Sequence, residues 1–379
     1  MDQGQYSTLL AAVSRVPDPR HKKGQRFSWP FLLSLLLAAV ASDQRSAHAM
    51  AHWAALHADE LRRYLQPPRP EMPSESTLKR VLREIDIEAL ERAVSEFTQA
   101  QPDSPLPLRG LALDGKELRG VRAHGRRMTL VSLVEQADGR VLAQSAVAPG
   151  RGESSAARPL LQRDLRGAVV TVDALLTQRK LAQQIRARRG HYLMLVKENQ
   201  PELYDAIALL FDQPPWTRQE QSKEYDQVMT RNRGHGRREQ RRLECSTALN
   251  QYLDWPGLSQ VIRRKCVRVN RKTGEVQRMT RYAVTSLNPE QAGAAALEAL
   301  WRGHWTIENR VHRVRDMTMG EDASQLRKGN APQALAIFRN ALLNLWRIQG
   351  RENIADALRE HGASILHALQ LIGAIPALL

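Results

Sequence analysis

The longest apolar stretch of the chain is WPFLLSLLLAAVA near the N-terminus. It is apolar on every side at helical spacing, so it predicts a buried helix. At thirteen residues it is too short to span a bilayer, which needs about 20. It starts late and lacks a small-residue cleavage pattern, so it does not read as a signal peptide. Two helical patterns follow, SAHAMAHWAALHADELRRYL and PSESTLKRVLREIDIEALERAVSEF. Ser74 or Ser76 can cap the latter, with Glu75 in its first turn. The helices around PSESTLKRVL resemble a helix-turn-helix that offers Arg80 and Arg83 to phosphates, and they equally fit a plain helical bundle. The Pro-rich QPDSPLPLRG at 101–110 reads as a linker.

Beyond it the period changes. Leu111–Leu113, Met128–Val134 and Val141–Val147 predict three strands, with a turn at ADGR between the last two. SSAARPLLQRDL predicts a helix, AVVTVDA (168–174) a buried strand, and TQRKLAQQIRARRG an amphipathic helix stopped by Gly190. HYLMLVKEN (191–199) predicts another strand. The first three strands can form an antiparallel meander, whereas the last two, reached through helices, require parallel crossovers. The expected fold class is therefore α/β with a mixed sheet. Residues 200–290 break the alternation, with a short helix at ELYDAIALLFDQ and then turn-rich basic segments that include a hairpin turn at RKTGE. Helices return after 293, through NAPQALAIFRNALLNLWRIQG and two short C-terminal helices broken by Gly350 and Gly362. The expected divisions are 1–105, 106–199, 200–290, 291–350 and 351–379.

Charge sharpens this picture. The net charge is +16 and the pI about 10.4. Sixteen Lys or Arg against seven Asp or Glu give residues 218–282 a net +9, more than half of the total. A surplus of that size fits a polyanionic partner, and nucleic acid is the first choice. Cys245 and Cys266 form no CxxC pair, which argues against a structural zinc site or disulfide framework and fits a reducing cytoplasm.

Three acidic residues carry the candidate chemistry. Asp114 ends the apolar run in LALDGKELRG, and Asp173 ends the one in AVVTVDALL. Glu308 lies in the basic helical stretch LWRGHWTIENRVHRVRD. Phosphodiester cleavage needs an activated oxygen nucleophile and a neutralised leaving oxygen, which two Mg²⁺ ions held by a few carboxylates can supply. Either aspartate taken alone reads equally as a cap of the following turn. At helical spacing Trp301, His304, His312 and Arg315 share a face with Glu308, a face able to hold phosphate oxygens. The same face also reads as a solvated salt-bridge surface, or as a His–Glu–His zinc stripe without an HExxH pattern.

Taken together, DPRHKKGQRFSWPFLLSLLLAAVASD, LALDGKELRG, VVTVDALLTQRKLAQQI, HYLMLVKENQP, GHGRREQRR and RGHWTIENRVHRVRDMTMGEDASQLRKGNAPQALAIFRNALLNL resemble the DDE transposases of bacterial insertion sequences, in the branch of the H-repeat-associated proteins. The resemblance spans nearly the whole chain. It implies a ribonuclease-H-like core in which Asp114, Asp173 and Glu308 bind two Mg²⁺ ions, with Mn²⁺ able to substitute. It implies DNA as partner, at element ends and target, a homodimer in the end complex, and a cytoplasmic, nucleoid-associated protein. Nicking by activated water and attack of the freed 3′-hydroxyl would follow. Asp114 and Asp173 are 59 positions apart and Asp173 and Glu308 135 apart. The second gap matches relatives that carry a β-rich insertion before the glutamate helix.

The candidate DNA contacts are Lys197, His235, Arg237, Arg238, Arg302, His304 and Arg315. The wider superfamily often has Tyr, Arg and Lys where this chain has Trp301, His304 and Arg315, and Arg302 offers a fixed charge near His304. Asp316, Glu321 and Asp322 are not expected to be ligands. A repurposed DNA-binding protein and a general metal-dependent nuclease are the alternative functions.

Overall fold

A computed structural model describes residues 8–101, 108–123, 126–215, 224–234 and 236–376. The chain divides into two compact units, one built from 1–104, 115–151 and 307–379 and the other from 105–114 and 152–306.

The first unit is mainly helical. Helix α1 (Leu9–Val13) is followed by α2 (Trp29–Ala41), the apolar run, of which only Pro30 is not buried. A helix that is apolar on all sides must be enclosed. It is enclosed by α1, by α3 (Ala47–Leu56) and by the three C-terminal helices, while α4 (Ala58–Leu65), α5 (Glu75–Glu84) and α6 (Ile87–Gln99) contribute to the same core. Of the two expected caps, Ser74 begins α5, its hydroxyl accepting from the Thr77 N–H. Leu78, Val81 and Leu82 of α5 enter the shared core, while Arg80 and Arg83 stay exposed. The C-terminal helix α11 (Ala331–Ile348) packs into that core, followed by α12 (Ile354–Ala363) and α13 (Ile365–Leu371).

The second unit contains α7 (Glu153–Leu160), α8 (Arg179–Ala187), α9 (Pro201–Asp212) and α10 (Ala294–Gly303). No described helix is long and apolar enough to cross a membrane.

Among the described residues, nine strands hydrogen-bond in the order β3-β2-β1-β4-β5-β9-β8-β7-β6. They are β1 (Arg109–Ala123), β2 (Arg126–Glu135), β3 (Val141–Ala146), β4 (Ala168–Val172), β5 (His191–Val196), β6 (Tyr225–Gly234), β7 (Arg237–Ser246), β8 (Gln260–Asn270) and β9 (Val276–Thr285). The pairs β1–β4 and β4–β5 are parallel, as the helical crossovers require. The pairs β2–β3, β5–β9, β9–β8, β8–β7 and β7–β6 are antiparallel. The fold is the mixed α/β arrangement expected.

Two differences from the sequence reading matter. First, β1 does not stop at Asp114. It runs on to Ala123, with Leu118 and Val121 buried against Leu130 and Ala336, so Asp114 stands inside a strand. Second, the strands of the basic segment β6–β9 extend the same sheet, with Leu193 to Val196 of β5 paired to Tyr282 to Thr285 of β9.

The edge strand β3 is tied to α11 by buried side chains, Asn340 through Gln144 at 3.0 Å and Asn344 through the Val141 backbone. Asn344 accepts from the Val141 N–H at 2.7 Å and donates to the Val141 carbonyl at 2.8 Å and to Thr98 Oγ1 at 2.9 Å. Asn344→Leu keeps a similar volume but strips these partners away, at roughly 1–3 kcal/mol per unsatisfied group. The variant should show a lower urea midpoint with an unchanged m-value, and a loss below about 0.5 kcal/mol would contradict this account of Asn344.

Candidate active site

The candidate ligands belong to different units, Asp114 to the second and Glu308, with His312 beside it, to the first. Asp114 lies on β1, at the point where pairing to β4 ends with Leu113 opposite Val172. The next residue of that strand, Gly115, belongs to the unit that contains Glu308 and His312.

Glu308 is not on a regular α-helix. The helix α10 ends at Gly303, and Ile307–His312 and Val314–Thr318 form two π-helical segments with widened i→i+5 bonding. The single face expected to run from Trp301 to Arg315 is therefore interrupted. What survives of it is the pair His312 and Glu308, with Nδ1 3.3 Å from Oε2. That hydrogen bond holds the Glu308 carboxyl below the usual glutamate range, against partial burial and with help from Lys116. Burial lowers His312 below the ordinary imidazole value and outweighs its carboxylate neighbour, which favours the neutral ring.

Asp173 follows β4 directly, as the sequence predicted. Its Oδ1 accepts from the N–H groups of Leu175 and Leu176, both at 3.1 Å. The capping role is thus present, carried by one carboxylate oxygen.

The residues expected to hold phosphate divide sharply. Arg315 is a correction: it is 0% exposed, and its guanidinium is saturated within the protein. It pairs with Glu321 at 2.8 Å and donates to Gln144 Oε1 at 2.8 Å and Asn340 Oδ1 at 3.3 Å. His304 is half-buried at the end of α10, its Nδ1 2.9 Å from Thr171 Oγ1 of β4. The Thr171 hydroxyl also donates to the Leu111 carbonyl, so this histidine braces the β1–β4 pair. Lys197, Arg237, Arg238 and Arg302 are exposed. His235 lies outside the described residues.

Two residues carry more than the sequence suggested. Lys116, two positions after Asp114 and so on the same strand face, is only 8% exposed. Its ammonium lies 2.6 Å from Asp316, 3.8 Å from Asp322 and 3.9 Å from Glu321. Glu321 is the other, since it also receives Arg339 at 3.2 Å. Gly320 adopts φ +62°, the left-handed turn that brings Glu321 back towards Arg315, with the Glu321 N–H bonded to the Arg315 carbonyl. The signal for both residues was the string of acids after Glu308, which reads in sequence as supporting or capping groups and not as ligands.

Comparison with known proteins agrees with this geometry. The family described as "Transposase DDE domain" matches residues 105–345, and a domain described as "DDE_Tnp_1-associated" matches 10–98. A protein of Escherichia coli O157:H7 named "Putative transposase YncI" is 27% identical over 90% of this chain and 87% of its own length. The "H repeat-associated putative transposase YhhI" of Escherichia coli K12 is 25% identical over 89% of each chain. An "Uncharacterized protein in dhlA 3'region" of Xanthobacter autotrophicus is 31% identical over 65% of this chain and 84% of its own.

Burial pushes the Glu321 carboxyl up, but Arg315 and Arg339 more than offset this and hold it below the ordinary glutamate value. A lowered folded value contributes stability that is complete above the unfolded value of about 4.3 and is lost as pH falls through the folded one. Glu321→Gln leaves two buried guanidinium groups without their carboxylate, a loss of about 3–5 kcal/mol at pH 7. The stability gap between wild type and variant, measured by urea unfolding, should narrow as pH falls below about 4.3. A gap that stays constant from neutral to acid pH would remove Glu321 from this role.

Proposed function

The chain belongs to the family of transposases with a DDE domain, and from that we propose that it binds the ends of its own element and carries out metal-dependent DNA strand cleavage and strand transfer. The observation that carries this reading is the family match over residues 105–345, which takes in Asp114 on β1, Asp173 after β4 and Glu308 held by His312. In this reading Asp173 completes the site. Its Oδ1 caps the following turn, and its Oδ2 accepts no hydrogen bond among the described residues, so one oxygen can serve as a ligand.

The donor set fits a hard divalent cation. Asp114, Asp173 and Glu308 offer carboxylate oxygens, which suit Mg²⁺ or Mn²⁺ better than the softer metals that imidazole favours. His312 then acts by holding Glu308 in place through the bond to Oε2. Two such ions, when bound, would supply the activated nucleophile and a neutralised leaving oxygen. The protein's own contribution is positioning: β1 fixes Asp114, the end of β4 fixes Asp173, and the π-helical segment fixes Glu308. Arg302, Lys197, Arg237 and Arg238 are the exposed candidates for DNA backbone contacts. The need to hold two DNA ends favours a homodimer in the end complex, acting on DNA in the bacterial cytoplasm.

Asp114→Asn, Asp173→Asn and Glu308→Gln should each lower Mg²⁺-dependent cleavage of element-end duplex by at least about 100-fold, with duplex binding nearly unchanged. Asparagine caps a turn as well as aspartate does, so Asp173→Asn separates capping from metal binding. Full cleavage by that variant would leave Asp173 a capping residue only. Binding without cleavage in wild type, in either Mg²⁺ or Mn²⁺, would favour a repurposed DNA-binding protein. Cleavage of arbitrary duplex without end preference would favour a general nuclease.

A further inference from the structure

Strands β6–β9 form a four-stranded antiparallel arm whose two faces differ in charge compensation. Successive side chains alternate between faces, and the pairing register assigns each residue to one of them. On the first face lie Glu239, Arg241, Arg264, Cys266, Arg268 and Arg281. Glu239 pairs with Arg241 and, at 3.0 Å, with Arg268. Arg264 pairs with Glu298 of α10 at 2.8 Å and stacks over Trp301, 5.4 Å from its ring centre. Three of the five cations of this face are thus paired, leaving only Arg237 and Arg281 exposed and without a carboxylate partner among the described residues, and α10 covers its base.

The second face carries Arg231, Arg233, Arg238, Arg242, Lys265 and Arg278, all exposed. Among the described residues only Arg242 of these six has a carboxylate partner, Glu244 at 3.4 Å, and Glu244 is already held by Arg263 at 2.8 Å. Between the cations lie exposed apolar side chains, Met229 at 49% and Val276 at 42%. Helix α9 covers only the base of this face, where Asp212 meets Arg263 at 2.8 Å and Phe211 lies beneath its guanidinium.

We infer that the second face of the arm, and not the first, is the duplex-DNA docking surface of this protein, and that it grips phosphates rather than reading bases. The inference rests on the proposed function and deepens it. Five unpaired cations on the second face, Arg231, Arg233, Arg238, Lys265 and Arg278, complement a phosphate backbone, while the opposite face has spent three of its five on Glu239 and Glu298. Four strands spaced about 4.8 Å apart make a surface roughly 14 Å across. That exceeds the roughly 12 Å width of the major groove, which admits a two-stranded ribbon, so the sheet lies across the backbone ridges. The assignment also narrows the candidate contacts named above, since of the two neighbouring arginines of β7 Arg238 lies on the docking face and Arg237 on the other.

The test compares two double variants of the full chain, Lys265→Gln with Arg278→Gln on the second face and Arg268→Gln with Arg281→Gln on the first. Affinity for a fluorescent duplex of arbitrary sequence is measured from about 50 to 200 mM salt, after thermal melting shows both variants folded. Loss of two phosphate contacts should make the slope of log K against log salt shallower by about 1.8 for the second-face variant and leave the first-face slope at the wild-type value. Equal slopes in both variants, or a change confined to the first face, would overturn the assignment while leaving the transposase reading intact. Failure of wild type to bind duplex at all would instead undo the functional reading on which the inference rests. A second-face variant that loses single-stranded but not duplex binding would reassign the surface to single strands and overturn the proposal as stated.

Discussion

The placement of Glu308 depends on an ion pair with almost no access to water. Arg315 and Glu321 meet inside the first unit, with Arg339 on the same carboxylate and Gln144 and Asn340 on the same guanidinium. Removing two charges from water costs several kcal/mol each, so such a pair is a poor source of net stability. Its value lies in exclusivity. A guanidinium at 0% exposure can be satisfied by one set of partners, and those partners come from β3, the Gly320 turn and α11. The second π-helical segment, which follows directly on the one that carries Glu308, is thereby fixed against three other parts of its unit. The widened turn is closed by the Met319 N–H reaching back to the Val314 carbonyl.

Lys116 extends the same cluster towards β1. Its ammonium balances Asp316, which burial and the neighbouring Asp322 and Glu321 push above the ordinary aspartate range while Lys116 opposes them. Three cations, Lys116, Arg315 and Arg339, thus stand against three carboxylates, Asp316, Glu321 and Asp322. The balance has a consequence for Glu308. The acids that follow it in sequence are committed to fixed cations, so they do not compete with it for a metal ion.

Much of the fold was legible because it follows local periodicity. The all-round apolar run became the enclosed helix α2, Ser74 became a cap, and the helix-linked strands became a parallel pair. The strand-end setting of Asp173 was legible together with its ambiguity, and the Oδ1 contacts explain why both readings arose. The misses have a common cause. Asp-Gly after an apolar run is a strong turn signal, yet β1 continues through Gly115 because Leu118 and Val121 find a buried surface formed by Leu130 and Ala336. Arg315 looked solvated because its partner Gln144 lies 171 positions away, beyond any spacing rule. The turn of helix around Glu308 was assigned a 3.6-residue period because sequence gives no signal for an i→i+5 widening that tertiary ion pairs stabilise.

The distribution of charge then makes physical sense. A group of carboxylates that must attract a divalent cation loses affinity if uncompensated arginines stand beside it, since each unit of positive potential disfavours a second cation. A protein that must also hold a polyanion needs just such arginines. This chain resolves the conflict by location in sequence. Arg315 and Arg339 of 307–339 are neutralised in buried pairs, whereas the net +9 of 218–282 lies in a segment whose strands carry exposed arginines. Attraction for DNA and attraction for metal can therefore be tuned separately, because the residues that set one are not the residues that set the other.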